Sequence, residues 1–156
     1  DPSMVDEFWT EPAAVQQHFA ALGATNIEHH QMTTQEFVTT ETYSTLGEIG
    51  LLFVDGYHSA EQARFDYEAF RDRLTPRSFV LFHDSMSERE STIYGSDKKY
   101  TLSVRRFIDE LKGDASLQVL DVPFGTGLTM VRKTTGHDMP LTEGMPARPD
   151  HPPPNP

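Results

Sequence analysis

The sequence contains no cysteine, so it can form neither a disulfide nor a zinc–thiolate site, and it offers no thiol nucleophile. Basic residues are also scarce, since 13 lysines and arginines stand against 24 acidic residues and give a formal charge of -11. This balance argues against nucleic acid and anionic membranes as partners, because both attract clustered positive charge. No apolar run approaches the about 18 residues that cross a bilayer, and no signal-peptide pattern opens the sequence. We expect one cytoplasmic α/β domain.

Two nearly continuous apolar runs, Ile49–Val54 and Ser78–Phe82, are present instead. Such runs are typical of strands that are buried on both faces of a parallel sheet. Between them, Ser59 and Gln62 form a capping-box pattern at the start of a helix, and Pro76 marks its end. The inward stripe of this helix is Ala63, Tyr67, Phe70 and Leu74. The strand–helix–strand order predicts a parallel unit with a right-handed crossover.

Apolar periodicity and turn residues predict the remaining elements. These are a helix over Pro12–Leu22, a strand over Asn26–Met32, a polar loop over Ser85–Lys99, a helix over Thr101–Lys112, and strands over Leu117–Val122 and Leu128–Arg132. The last two strands are joined by five residues, so they must form an antiparallel hairpin. We expect the domain to span residues 1–134 and the proline-rich tail, residues 135–156, to be extended or disordered.

Polar residues follow each apolar run, as Asp55-Gly56-Tyr57-His58 and as His83-Asp84-Ser85. Ligands of open parallel sheets bind outside the carboxyl ends of the strands, so neighbouring strands would bring both groups to one crevice. There, Asp55 and Asp84 can hold a hard cation such as Mg²⁺, and a neutral His58 can accept a proton from a hydroxyl. The alternative is that these side chains only cap loops and helices.

The stretch Leu51–Ser85, LLFVDGYHSAEQARFDYEAFRDRLTPRSFVLFHDS, resembles class I S-adenosylmethionine-dependent methyltransferases related to sugar and small-molecule O-methyltransferases. The shared pattern is an apolar strand ending in Asp-Gly-x-His, an acid inside the helix at Asp66, and a second strand ending in His-Asp. Arg77-Ser78 replaces the Gly-Gly of the family pattern. The resemblance implies a Rossmann-like fold with a mostly parallel sheet, a C-terminal antiparallel β-hairpin, missing N-terminal strands, and S-adenosylmethionine as cofactor.

The resemblance also implies roles for individual residues. His58 matches the general base of sugar O-methyltransferases. Asp55 and Asp84 match carboxylates that bind a divalent metal such as Mg²⁺ in metal-dependent members, and Ser85 stands where related enzymes place a third ligand. The positions implied in cofactor binding are Asp1, Thr34, Gln35, Asp55, Gly56 and Tyr57.

In the family, a glycine-rich cofactor loop follows the first strand, and it would precede Asp1. The only Gly-x-Gly, Gly125-Thr126-Gly127, lies in the predicted hairpin and opens no helix. We therefore expect these 156 residues alone to bind S-adenosylmethionine weakly or not at all. The partners left open are a second copy of the chain and a polypeptide that supplies the missing half.

The function that this sequence favours is methyl transfer to a hydroxyl of a small molecule or sugar. One alternative is a non-catalytic scaffold or partner domain that kept the fold. The other is a metal-dependent phosphohydrolase that uses His83-Asp84.

Overall fold

The computed structural model describes residues 10–92, 97 and 99–134. Asp1 and the proline-rich tail therefore lie outside the described residues. The helices are α1 (Pro12–Ala21), α2 (Thr34–Phe37), α3 (Glu41–Thr45), α4 (Ala60–Phe70) and α5 (Val104–Leu111). The strands are β1 (Ile49–Val54), β2 (Leu74–His83), β3 (Arg89–Ser91), β4 (Tyr100–Leu102), β5 (Leu117–Val122) and β6 (Leu128–Lys133). None of the described helices is long and apolar enough to cross a bilayer.

The main sheet has the strand order β1-β2-β6-β5. β1 precedes α4 in the sequence and β2 follows it, and the two strands pair in parallel. This confirms the predicted strand–helix–strand unit. β6 pairs antiparallel with both β2 and β5, which confirms the predicted C-terminal hairpin. The predicted Rossmann-like α/β fold is therefore observed. It places the ends of β1 and β2 side by side, with Val54 opposite Phe82.

One hydrophobic core joins α4 and α5 to the sheet. Its centre is an aromatic group in which the rings of Tyr67, Phe82 and Phe107 lie 5.8–6.2 Å apart. The side chain of Ser59 caps α4 by accepting a hydrogen bond from the Gln62 amide at 3.0 Å. The Gln62 side chain bonds to other residues, so half of the predicted capping box forms. This packing fixes the start of α4 directly beyond the end of β1.

The opposite face of the sheet exposes large apolar side chains, in contrast to the prediction of strands buried on both faces. Successive side chains of a strand point to opposite faces, so Leu51 and Phe53 share the face away from Val54. The exposed apolar side chains of the sheet are Leu51, Phe53, Phe79, Leu120 and Val122. Within the described part of the chain, helices therefore cover the sheet on one side.

Four sequence-based assignments of elements or their bounds are wrong. Asn26–Met32 is not a strand, because no described strand lies beside it to complete its backbone hydrogen bonds. The loop predicted over Ser85–Lys99 contains β3, and the first residues of the helix predicted over Thr101–Lys112 form β4, which pairs with β3. β2 begins at Leu74, earlier than the predicted strand, because the helix before it ends at Phe70.

Candidate active site

The end of β1 leads through Asp55 into a tight turn that finishes at the start of α4. In this turn His58 has φ of 52°, in the left-handed region that bulky residues rarely adopt. Ser103, the residue before α5, fixes the turn by two hydrogen bonds. Its amide donates to the His58 carbonyl at 2.8 Å, and its hydroxyl accepts from the Ala60 amide at 3.0 Å. The backbone of His58 is thus held by the β4–α5 junction.

The end of β2 brings His83 and Asp84 against the same turn. The Nδ1 atom of His58 lies 3.3 Å from Oδ2 of Asp84, whose side chain is only 8% exposed. The other oxygen of Asp84 accepts a hydrogen bond from Arg89 at 3.0 Å. Nδ1 of His83 lies 2.8 Å from Oδ1 of Asp55. The structure therefore joins the two predicted polar groups in one cluster.

Asp84 also has a positive φ, of 53°. Among the described residues, His58 and Asp84 are the non-glycine residues with positive φ, and they face each other. Such conformations cost about 1–3 kcal/mol each and persist where the surroundings impose them, often at functional sites. The two strained residues therefore support the assignment of this cluster as the active site.

Burial lowers the pKa of His58, and this desolvation is the largest influence on it. The carboxylates of Asp84 and Asp55 act in the opposite direction, while the neighbouring side chains of His83 and Arg89 lower the pKa further. The net effect favours the neutral imidazole at physiological pH. A neutral imidazole has one nitrogen lone pair, which can accept a proton or bind a metal.

Ser85 is completely buried and does not reach the open part of the cluster. Its hydroxyl is hydrogen-bonded to the hydroxyl of Thr129 of β6 at 2.7 Å, and Thr129 Oγ1 donates its proton to Asp121 of β5 at 2.9 Å. The Ser85 amide donates to the Gly127 carbonyl at 3.4 Å. Ser85 thus joins the end of β2 to the hairpin, which is a supporting position.

Some of the cofactor-binding positions predicted from the sequence lie near the turn that precedes α4. Gln35 of α2 donates from Nε2 to the Gln62 side chain at 2.8 Å, and Gln62 in turn donates to Asp66 at 2.7 Å. Thr34 is the first residue of α2 and is partly buried. A small cleft beside them is lined by Gly56, Tyr57, His58, Gln62 and Asp66, among others.

The residues that could hold a metal differ from the predicted set. One ligand atom each from Asp55, His58 and His83 lie within 4.8 Å of one another. Asp84 instead contacts Arg89 and His58, and the Ser85 hydroxyl contacts Thr129.

Sequence reasoning missed three residues that build the site, Arg89, Tyr100 and Ser103. Tyr100 donates its hydroxyl to the Tyr57 carbonyl at 2.7 Å, and its ring lies 5.0 Å from that of Tyr57. Arg89 and Tyr100 lie on the paired strands β3 and β4, and Ser103 directly follows β4. The length of the loop predicted over Ser85–Lys99 was a signal for Arg89, because long loops in compact domains are often functional, whereas Tyr100 and Ser103 lie beyond that loop.

Comparison with known proteins agrees with this architecture. A family model described as a methyltransferase domain matches residues 3–85, which include α4 and the ends of β1 and β2. No curated protein sequence matches the chain.

Two solved structures share the fold. A structural-genomics target from Corynebacterium glutamicum is 15% identical with a TM-score of 0.56, and the match covers 81% of this chain and 57% of that one. An S-adenosylhomocysteine-bound methyltransferase from Podospora anserina is 21% identical with a TM-score of 0.50, over 79% of this chain and 56% of its own. The chain therefore spans rather more than half of the length of either neighbour. Because the methyltransferase-domain model covers more than half of the sequence, the chain belongs to the class I S-adenosylmethionine-dependent methyltransferase family.

Proposed function

We propose that the protein transfers a methyl group from S-adenosylmethionine to a hydroxyl of a small molecule or sugar, with His58 as the general base. The observation that carries this proposal is the His58–Asp84 pair, in which Nδ1 of a largely buried imidazole lies 3.3 Å from a buried carboxylate. The family assignment supplies the reaction class, and the bound S-adenosylhomocysteine of the Podospora anserina neighbour supports the cofactor.

The pairing decides which nitrogen of His58 would act. A carboxylate beside Nδ1 favours the tautomer that carries its proton there, and it leaves the Nε2 lone pair free to accept a proton. Arg89 donates to the same carboxylate and fixes its position. Asp84 is thus a positioning residue, and His58 is the proposed catalytic residue.

The proposed reaction needs one proton transfer and one displacement. S-adenosylmethionine, when bound, supplies an electrophilic methyl carbon whose bond to sulfur breaks, so that the sulfur keeps the electron pair. The acceptor hydroxyl gives its proton to His58 Nε2, and its oxygen forms the new bond to the methyl carbon. The largest further contribution of the protein is to orient the two reactants, which is worth several kcal/mol in comparable reactions.

The cofactor is proposed to bind beside the start of α4, where Gly56, Tyr57 and Asp66 are among the residues that line a small cleft. Gln35 reaches this cleft through its hydrogen bond to Gln62. Asp55, which is half-exposed, and Thr34 remain proposed contacts on the same side. The hydrogen-bonding groups present suit the hydroxyl and amine groups of a nucleoside.

The set Asp55, Asp84 and Ser85 fits Mg²⁺ poorly. Magnesium requires oxygen ligands in near-octahedral geometry. The Asp84 carboxylate is engaged by a cation, Arg89, and the Ser85 hydroxyl is fully buried against Thr129. The proposed reaction therefore assigns no step to Mg²⁺.

Replacing His58 by alanine tests the proposal in the protein completed by the segment that supplies the glycine-rich cofactor loop. Release of S-adenosylhomocysteine is measured with catechol and with methyl glycosides as acceptors. We expect the rate to fall by about 10²–10⁴-fold, the usual contribution of a general base. The control is His30→Ala, which changes a histidine that pairs with Glu28 outside the site and should leave the rate within twofold. An active His58→Ala protein would refute the base, and a scaffold domain would show no turnover in either protein.

A further inference from the structure

We propose that Asp55, His58 and His83 bind a divalent transition metal ion of the zinc type, and that this ion switches off His58 as a base. The three side chains come from the ends of two adjacent strands, and one ligand atom of each lies within 4.8 Å of the others. The binding half of this proposal stands without the proposed function. The switching half rests on it.

The donor set selects the class of metal. Two imidazole nitrogens and one carboxylate oxygen suit zinc and its neighbours in the first transition row, whereas Mg²⁺ and Ca²⁺ prefer oxygen alone. Ligands around a tetrahedral zinc lie about 3.3 Å apart, which follows from bond lengths of about 2.0–2.1 Å. The observed spacing of up to 4.8 Å must therefore shrink slightly. Asp55 and His83 can move inward, because their side chains are 43% and 41% exposed.

A second observation points to a cation at this place. The Nδ1 atom of His83 is buried and makes no hydrogen bond of acceptable geometry with any described group, although Oδ1 of Asp55 lies 2.8 Å away. Buried polar atoms of native proteins nearly always have a partner, and a missing ion is one explanation for an exception. An ion bound by both side chains would satisfy the two atoms together.

The residues behind the ligands have the arrangement expected around a bound metal. Histidine ligands usually direct their second nitrogen to a carboxylate, which fixes the ring and makes the ligand more basic. Asp84 takes this position behind His58, with Oδ2 3.3 Å from Nδ1. Asp55 and Asp84 carry two negative charges and Arg89 one positive charge. The two carboxylates thus outnumber the one guanidinium beside the proposed ligands, which favours a cation there.

Metal binding and base catalysis compete for one atom. With Nδ1 of His58 directed to Asp84, the Nε2 lone pair is the donor that remains for either a proton or a metal ion. A bound ion would therefore block the proton transfer assigned to His58. This competition predicts inhibition by zinc, in contrast to the activation expected of a metal-dependent methyltransferase.

Calorimetry tests the binding half without any activity. The full chain, treated with a chelator that is then removed, is titrated with ZnCl₂ and separately with MgCl₂. We expect one zinc ion per chain and no heat from magnesium. Addition of CoCl₂ should give the visible absorption of a tetrahedral cobalt site. Absence of zinc binding, or equal binding of magnesium, would overturn the proposal.

Variants assign the ligands. His83→Ala should weaken zinc binding at least tenfold, and His83→Gln provides a second test if the alanine variant unfolds. His30→Ala is the matched histidine control and should bind zinc as the wild type does. Zinc binding that is unchanged in both His83 variants would place the metal elsewhere.

The switching half is tested by the methyl transfer rate with and without zinc. We expect zinc to lower the methyl transfer rate of the wild type. The residual rate of the His83→Ala variant should be unchanged by zinc. Zinc that binds without slowing the reaction would overturn the switch. If no protein shows turnover, the proposed function and the switch fail together, and calorimetry still decides the metal site.

Discussion

The ends of β1 and β2 carry similar polar residues but lie in opposite environments. After β1, the side chain of Asp55 is 43% exposed and Tyr57 also faces solvent. After β2, the side chain of Asp84 is 8% exposed and Ser85 is fully buried. Asp55 and Tyr57 can meet ligands, as can His83 at the last position of β2, while Asp84 and Ser85 contact protein. The comparison assigns chemistry to the exposed side chains and support to Asp84 and Ser85.

His58 connects the two ends, because it belongs to the exposed turn but contacts the buried carboxylate. Its side chain is 14% exposed, much less than that of Asp55 beside it. The histidine and the aspartate that make this contact both have positive φ. The buried residues after β2 therefore contact the proposed base through one side-chain pair, Asp84 and His58.

The largest effect is expected from Asp84→Asn, which breaks this pair. Asparagine tolerates the left-handed conformation, so the backbone should persist. The amide can no longer hold the charged partner Arg89 or select the His58 tautomer. We expect the methyl transfer rate to fall at least about hundredfold, since the equivalent change in a serine protease triad costs about 10⁴-fold. A rate within threefold of the wild type would show that Asp84 does not position His58.

A smaller effect is expected on the free energy of unfolding, which substitutions at the two strand ends should change by different amounts. Thr129→Val removes the hydroxyl that is hydrogen-bonded to buried Ser85 and to Asp121, and it should lower the free energy of unfolding by about 1–3 kcal/mol. Asp55→Asn is the matched change at the exposed end and should alter stability by less than about 0.5 kcal/mol, as surface changes usually do. Urea denaturation measures both. Equal losses would contradict the division into an exposed and a buried end.

The apolar runs made the convergence of the two strand ends predictable. The sequence predicted Ile49–Val54 and the run ending at Phe82 as parallel strands, which would bring Asp55 and Asp84 to one edge if the strands were neighbours, and the structure shows that they are. Which carboxylate is buried was not predictable, because the partner Arg89 lies on a short polar strand within the predicted loop. Asn26–Met32 shows the same limit, since a strand forms only where another strand can pair with it.

The smallest expected effect is a change of stability with pH in metal-free protein. The groups around His58 are Asp84, Asp55, His83 and Arg89, and burial outweighs the carboxylates in lowering its pKa. The unfolded state, with an ordinary histidine pKa of about 6.5, therefore binds the proton more readily than the folded state. The His58 contribution to the free energy of unfolding should fall as the pH decreases through about 6.5 and below. Comparison with His58→Gln isolates this contribution, and an identical pH dependence would contradict it.

Nitrogen-15 NMR of the imidazole of His58 tests the central claim most directly. The metal-free full chain is labelled at histidine and titrated from alkaline to acidic pH, with His58→Gln used to assign the signals. Our account predicts a neutral ring at pH 7 with its proton on Nδ1, toward Asp84, and a pKa below the ordinary value of about 6.5. A proton on Nε2 in the neutral ring, or a pKa above that value, would contradict the claim that His58 is a base held ready by Asp84.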